Sequence, residues 1–338
     1  MSETSRSTEM EGISPAARPA ERPKRRRFAR AMLVATGAGT VCAVAASAWL
    51  LRDPTPSMLE RRSTLVHVAE GELMAADSHT VQVVRLQAAS GLTVDLTVKR
   101  HIADSVGKYP LAVILGGHRT GKDAVRLLEN TRGVVATAVS YPYTGDPRPY
   151  AAQLARDIPR IRRAFLDTPP ALMLALDYLL SRDDVDVART EGIGVSLGAP
   201  FIVIAGALDP RFSRIWVVHG SGGSFAPLQH NMREHISFAP LRYAAAGLTN
   251  LIISGPRLAP ERWAAKVGNR SFVMINALDD ERMPPGAVQS LFAAAAEPKE
   301  MIWMPGGHVR SVTEAVKPLV DTVMARIAGA EGKTAASR

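Results

Sequence analysis

The chain has 338 residues, 46% of them hydrophobic and 22% charged, which is enough apolar material for one large core or two small ones and excludes a wholly disordered polypeptide. Its formal charge of +9 is uneven: residues 1–30 carry eight Lys/Arg against four Glu, leaving about +5 over the rest, with no basic stripe interleaved with aromatics, and so no nucleic-acid partner is expected. Cys42 is the sole cysteine, which excludes an internal disulfide, a CxxC redox pair and a cysteine-based zinc site.

Residues 1–30 begin with a Ser-, Glu-, Pro- and Arg-rich stretch without periodicity, the composition of a disordered basic extension. Lys24-Arg25-Arg26-Arg27-Phe28-Ala29-Arg30 then leads into an uncharged run over 31–51. Paired arginines, a nearby phenylalanine and a mildly apolar segment resemble a bacterial twin-arginine export signal, and Ala46-Ser47-Ala48 offers an A-x-A cleavage site. The competing expectation is an uncleaved anchor, because about 20 apolar residues span a bilayer and the flanking arginines would hold the N-terminus inside. Either way the rest of the chain is expected outside the cytoplasm, exported across or anchored in a bacterial inner membrane. Val41 before Cys42 argues against a lipoprotein, which needs a small residue there.

A domain over 60–328 follows, with a disordered tail expected at 329–338. Leu65 to Val68, Val81 to Leu86 and Leu92 to Val98 alternate apolar with polar, as half-exposed antiparallel strands do. From Leu111 the pattern becomes short continuous apolar runs, the mark of buried parallel strands: Leu111–Leu115, Gly133–Ser140, Gly192–Val195, Ile215–Val218, Phe272–Ala277 and Glu300–Met304. Helices are expected between them near Thr120–Asn130, Ile158–Arg182, Ala199–Ala207, Pro284–Ala296 and Val309–Ile327. The fold class is therefore α/β, a mostly parallel sheet with helices on both faces. Residues 220–270 exceed a simple connection and read as a small cap. Its Met232, Phe238, Leu241 and Tyr243 either line an acyl pocket or pack the cap onto the sheet.

The chemistry concentrates at strand ends. Gly194-Val195-Ser196-Leu197-Gly198 sits between an apolar run and a helix-like one, the setting of a nucleophile elbow. Serine there takes a strained backbone, and side chains two residues to either side would collide. A serine hydroxyl needs a base, and the base needs a carboxylate to orient it. His308, after Gly306-Gly307, and Asp279 or Asp280 can fill those roles, although adjacency alone does not say which aspartate points inward. The N–H of Leu197 is a candidate oxyanion donor. Gly116 to Lys122 has a G-x-x-x-x-G-K frame, but Asp123 stands where a phosphate loop needs Ser or Thr, so nucleotide binding is not expected. His219-Gly220-Ser221-Gly222-Gly223 reads as a flexible turn on the rim, and Tyr141-Pro142-Tyr143 as a pocket wall or a turn.

From about Tyr109 to Ala328 the chain resembles the α/β-hydrolase superfamily, nearest its dienelactone-hydrolase-like, acetyl-xylan-esterase-like and prolyl-oligopeptidase-like branch. The resemblance rests on Leu115-Gly116-Gly117, on Asp184-Val185-Asp186 leading to Gly192–Gly198, on Asp280 with Met283-Pro284, and on His308. It implies a triad of Ser196, Asp280 and His308 in the superfamily's chain order, Asp280 being favoured because Asp280 to Pro284 fits a D-x-x-V-P pattern. It also implies a second oxyanion N–H from His118, with Gly116 in place of the usual histidine. The implied activity is hydrolysis of a small-molecule carboxylic ester through an acyl-enzyme, with no metal or organic cofactor. An acyltransferase or peptidase would use the same triad, and an inactive hydrolase-like binding protein of the envelope is the contrasting class.

Overall fold

A computed structural model describes residues 32–41, 44, 52–104, 106–117, 120–131, 133–145, 151–309 and 316–329. The chain divides into two compact units, Met1–Leu50 and Leu51–Arg338. In the first, residues 32–41 are helical, with Thr36 and Thr40 hydroxyls donating to carbonyls four residues back. Among the described residues no helix is long and apolar enough to cross a membrane. The basic leader, Cys42, the Ala46-Ser47-Ala48 site and residues 330–338 lie outside the described residues.

The second unit is built on one sheet of ten strands in the order β1-β3-β4-β6-β5-β7-β8-β9-β10, with β2 (Met74–Ala76) added on β3. The antiparallel flank is β1 (Leu65–Glu70), β3 (His79–Ala88) and β4 (Thr93–His101). β6 (Val135–Val139) joins it antiparallel to β4, and from there β5 (Tyr109–Leu115), β7 (Val185–Val195), β8 (Arg214–Val218), β9 (Ser271–Ala277) and β10 (Lys299–Met304) run parallel. The switch from alternating to continuous apolar runs at Leu111 is this change from flank to buried centre.

Successive side chains of a strand point to opposite faces, so each central strand feeds two cores. On β5, Leu111, Val113 and Leu115 enter one core while Ala112 and Ile114 enter the other. The first core packs the long helix α2 (Ala151–Leu179) and α3 (Ala199–Leu208), and the second packs the C-terminal helix α9 (Val316–Ala328). A short helix α1 (Thr55–Arg62), absent from the expected elements, lies on α2 through Arg61–Asp167 at 2.9 Å and the Arg62–Asp177 pair.

The expected helix over Thr120–Asn130 is instead a 3-10 segment over Gly121–Leu127. Its start is pinned to the end of β6: the Lys122 N–H donates to Ser140 Oγ at 3.1 Å, and Gly121, at φ +46°, leaves room for Ser140 where a Cβ would come within 3.1 Å of that oxygen. Between β8 and β9, residues 220–270 form α4 (Phe225–Asn231), α5 (Ala239–Ile252), α6 (Gly255–Leu258) and α7 (Glu261–Ala264); α8 (Pro285–Ala294) precedes β10.

Candidate active site

Six parallel strands end on one edge of the sheet, and five of them, β5 and β7 to β10, lead into the candidate site there, as open α/β sheets do. β7 ends at Val195, and Ser196–Gly198 make one 3-10 turn before α3 begins at Ala199. Ser196 has φ +53°, a conformation side chains rarely take. The glycines beside it make the turn possible. A Cβ on Gly194 would lie 2.4 Å from Ile202 Cγ2 and 2.7 Å from the Gly198 carbonyl oxygen, and one on Gly198 would lie 2.2 Å from the Leu115 carbonyl oxygen.

Ser196 Oγ lies 2.8 Å from His308 Nε2, and His308 Nδ1 lies 3.0 and 2.9 Å from the two carboxylate oxygens of Asp280. Both the imidazole and the carboxylate are almost completely buried. Backbone bonds bring them together: Leu278 N–H donates to the Met304 carbonyl and Asp279 N–H to that of Gly306, which ties the loop after β9 to the loop after β10. Gly306 takes φ +102°, and a Cβ on Gly307 would lie 2.9 Å from Glu281 Oε2. That carboxylate accepts the His308 N–H at 2.8 Å, fixing the backbone of His308 as Asp280 fixes its ring. Asp279, the alternative acid, is exposed.

Burial pushes the Asp280 carboxyl up, but contacts from His219 and His308 and the Arg282 N–H outweigh it and hold the group well below the usual carboxylate range. Asp280 Oδ1 accepts the N–H groups of Arg282 and Met283, both at 2.9 Å. His219 is buried beside it, its Nδ1 3.4 Å from Asp280 Oδ2 and its ring edge-on to His308 at 5.5 Å. The same Nδ1 accepts the Val309 N–H at 3.0 Å. One nitrogen cannot accept from Val309 and donate to Asp280 at once, and the shorter, amide bond defines a ring unprotonated at Nδ1.

The sequence reading of His219 as part of a flexible rim turn is therefore corrected. It sits where β8 hands over to the loop, at φ +48°, with its N–H donating to Ile275 of β9. His219, Asp280 and His308 each offer a metal-ligating atom within 4.8 Å of the others. All three of these groups are already engaged in the hydrogen bonds above, so the arrangement fits proton handling without a metal.

Leu197, the expected oxyanion donor, follows Ser196 in the same turn and packs against the first core. His118 lies outside the described residues. The loop that carries it does reach the serine: a Cβ on Gly117 would lie 3.7 Å from Ser196 Cβ. Tyr141 does not wall the cavity; its hydroxyl donates to the Gly116 carbonyl at 2.7 Å, and its ring stands edge-on to Phe201. Burial raises its phenol far above the ordinary value, which suits a neutral donor holding this loop.

A scan against protein-family models gives no match, and a search of curated proteins gives none either. Solved structures do match. Acetyl xylan esterase 1 from Thermoanaerobacterium sp. JW/SL YS485 is 15% identical, over 81% of this chain and 92% of its own, with a TM-score of 0.57. An acetyl xylan esterase from Paenibacillus sp. R4 is 18% identical, over 82% and 92%, with a TM-score of 0.58. A cold-adapted esterase from an Arctic intertidal metagenomic library is 16% identical, over 78% and 100%, with a TM-score of 0.52. The chain has the α/β-hydrolase fold.

On this α/β-hydrolase scaffold the helical insertion after β8 does not supply the pocket beside the serine. Phe238, Leu241 and Tyr243 are more than half exposed, and Met232 borders a separate shallow depression with Leu228 and Arg282. Neither expectation for the three exposed residues holds, because they lie on the outer side of the insertion. The cavity at Ser196 and His308, about 490 Å³, instead runs under the sheet edge toward α9, with Leu319, Val323 and Met324 on its far wall.

Proposed function

We propose that the protein is a serine carboxylesterase acting outside the cytoplasm on small-molecule esters. The observation that carries this is the unbroken relay from Ser196 Oγ to His308 Nε2 and from His308 Nδ1 to Asp280, at 2.8 and 2.9 Å, on a serine held at φ +53°. Strained, exposed-edge serines with a base in hydrogen-bond reach are built for attack. The structural likeness to esterases adds support for ester substrates.

The chemistry follows from these atoms. Ser196 Oγ bonds to the ester carbonyl carbon as its proton passes to His308 Nε2, and Asp280 stabilises the resulting imidazolium. The carbonyl oxygen, now negative, faces the N–H of Leu197 and the loop after β5, for which the N–H of His118 is the proposed second donor. His308 returns the proton to the alcohol oxygen as the carbon–alcohol bond breaks, which leaves an acyl group on Ser196. Water then attacks that carbonyl, giving its proton to His308, and the serine leaves reprotonated as the acid is released.

Export rests on Arg25-Arg26-Arg27-Phe28 and the apolar stretch after it, whose helical residues 32–41 leave Leu33 and Val34 exposed. The full-length chain should label with a fluorophosphonate and hydrolyse p-nitrophenyl acetate, and Ser196→Ala should abolish both. A folded chain that does neither overturns the reading. Lysine at 25, 26 and 27 should retain the chain in the cytoplasm of a bacterial host; an unchanged periplasmic or membrane location would overturn the twin-arginine route, and a native chain found in the cytoplasm would remove the export part alone.

A further inference from the structure

The cavity beside Ser196 is unusual for what lines it. Among the described residues that line it, the polar side chains are Ser196, His308, Thr120 and Arg282, and Thr120 is already satisfied by the Gly117 carbonyl at 2.9 Å. The other described lining residues are glycines after β5 and apolar side chains from β5, β7 and β8, from the stretch over Gly121–Leu128, from Val309 and from α9. On α9 the lining runs from Val316 to Met324, about 12 Å of helix rise. Close-packed interiors leave few voids larger than a water molecule, and an apolar space of about 490 Å³ is of small-molecule-site size. Such a recess gives water few polar partners and takes apolar ligands.

We infer that this recess is an acyl-chain pocket and that the preferred substrates are esters of medium-length aliphatic acids, rather than acetyl esters. The inference rests on the serine-esterase reading and adds the substrate class. The acyl group, not the alcohol, is assigned to it for a kinetic reason. The acyl chain stays on Ser196 through both half-reactions, whereas the alcohol must leave after the first, and a recess closed by α9 on its far side retains what it holds. A cap-lined pocket would have pointed the chain toward Phe238 and Leu241, which face solvent.

Full-length protein is assayed on p-nitrophenyl acetate, butyrate, octanoate and decanoate, and on octyl acetate as the alcohol-side control. Each buried methylene can contribute up to about fourfold, so kcat/KM for octanoate should exceed that for acetate by about tenfold or more. Val320→Trp, at a half-buried pocket position, should lower octanoate turnover far more than acetate turnover and so erase that preference. Acetate preferred over octanoate, or a length dependence that follows the alcohol instead, overturns the pocket while leaving the esterase. Decanoic acid should raise the Tm of the Ser196→Ala chain, and Val320→Trp should remove the rise. Binding without turnover in the native chain would keep the pocket and overturn the esterase; no Tm rise would overturn the pocket.

Discussion

His219 Nδ1 accepts the Val309 N–H at 3.0 Å while lying 3.4 Å from Asp280 Oδ2, so one imidazole holds the chain that leaves His308 and packs beside the Asp280 carboxylate. It spans the ends of β8, β9 and β10, and none of its hydrogen bonds given above goes to Ser196.

Its removal should therefore act through geometry. His219→Ala loses the acceptor for Val309 and strains a left-handed backbone, and displacements of about 1 Å in a catalytic group cost up to about 10²-fold in rate. His219→Asn keeps an acceptor oxygen and tolerates φ +48°, and should restore most of kcat. His219→Gly relieves the backbone but supplies no acceptor, and should remain impaired. Equal rates for the Gly and Asn variants would reduce His219 to a backbone requirement.

The two adjacent aspartates should separate cleanly. Asp280→Asn leaves the shape but lets His308 adopt the wrong tautomer, a change that costs about 10⁴ in kcat in serine enzymes of this design. Asp279→Asn changes an exposed side chain and should leave kcat within about twofold. Steady-state kinetics on p-nitrophenyl butyrate reads both; comparable losses would contradict the assignment of the acid.

What was legible in the sequence was local. Continuous apolar runs such as Leu111–Leu115 and Ile215–Val218 announce buried strands because burial on both faces leaves little place for polar residues. The elbow announces itself because Gly194 and Gly198 answer collisions with Ile202 and Leu115, fixed by one tight turn. β2 has only three residues, too few to show a period, and α1 is held by ion pairs to residues more than a hundred positions away. His219 and Glu281 were missed for the same reason. Their partners come from other strands, and the glycines after His219 look like a loop whether or not the histidine points inward. Its position at the end of an apolar run, beside the strands that deliver Ser196 and Asp280, was the available signal.

The elbow glycines carry the next expectation. A methyl group on Gly198 would meet the backbone carbonyl of Leu115 at 2.2 Å, and backbone cannot swing aside as a side chain can. Gly198→Ala should therefore separate α3 from β5, at a cost of about 1–3 kcal/mol, and move Ser196 off His308. Thermal unfolding and fluorophosphonate labelling should fall together. A variant with native Tm and native labelling would mean that the contact relaxes without disturbing the nucleophile.

The depressed Asp280 also predicts how stability depends on pH. Its folded value lies below the unfolded one of about 3.9, so the unfolded chain binds this proton more readily. The stabilisation is thus fully present above about pH 5 and is lost as pH falls through 4 toward the folded value. Comparing the native chain with Asp280→Asn isolates this group, because the other carboxylates titrate alike in both. The difference in urea midpoint should shrink as pH falls below about 4, the range in which the unfolded Asp280 takes up its proton. A difference that widens on acidification would mean that Asp280 is held protonated by its burial, and would remove it as the partner that stabilises a charged His308.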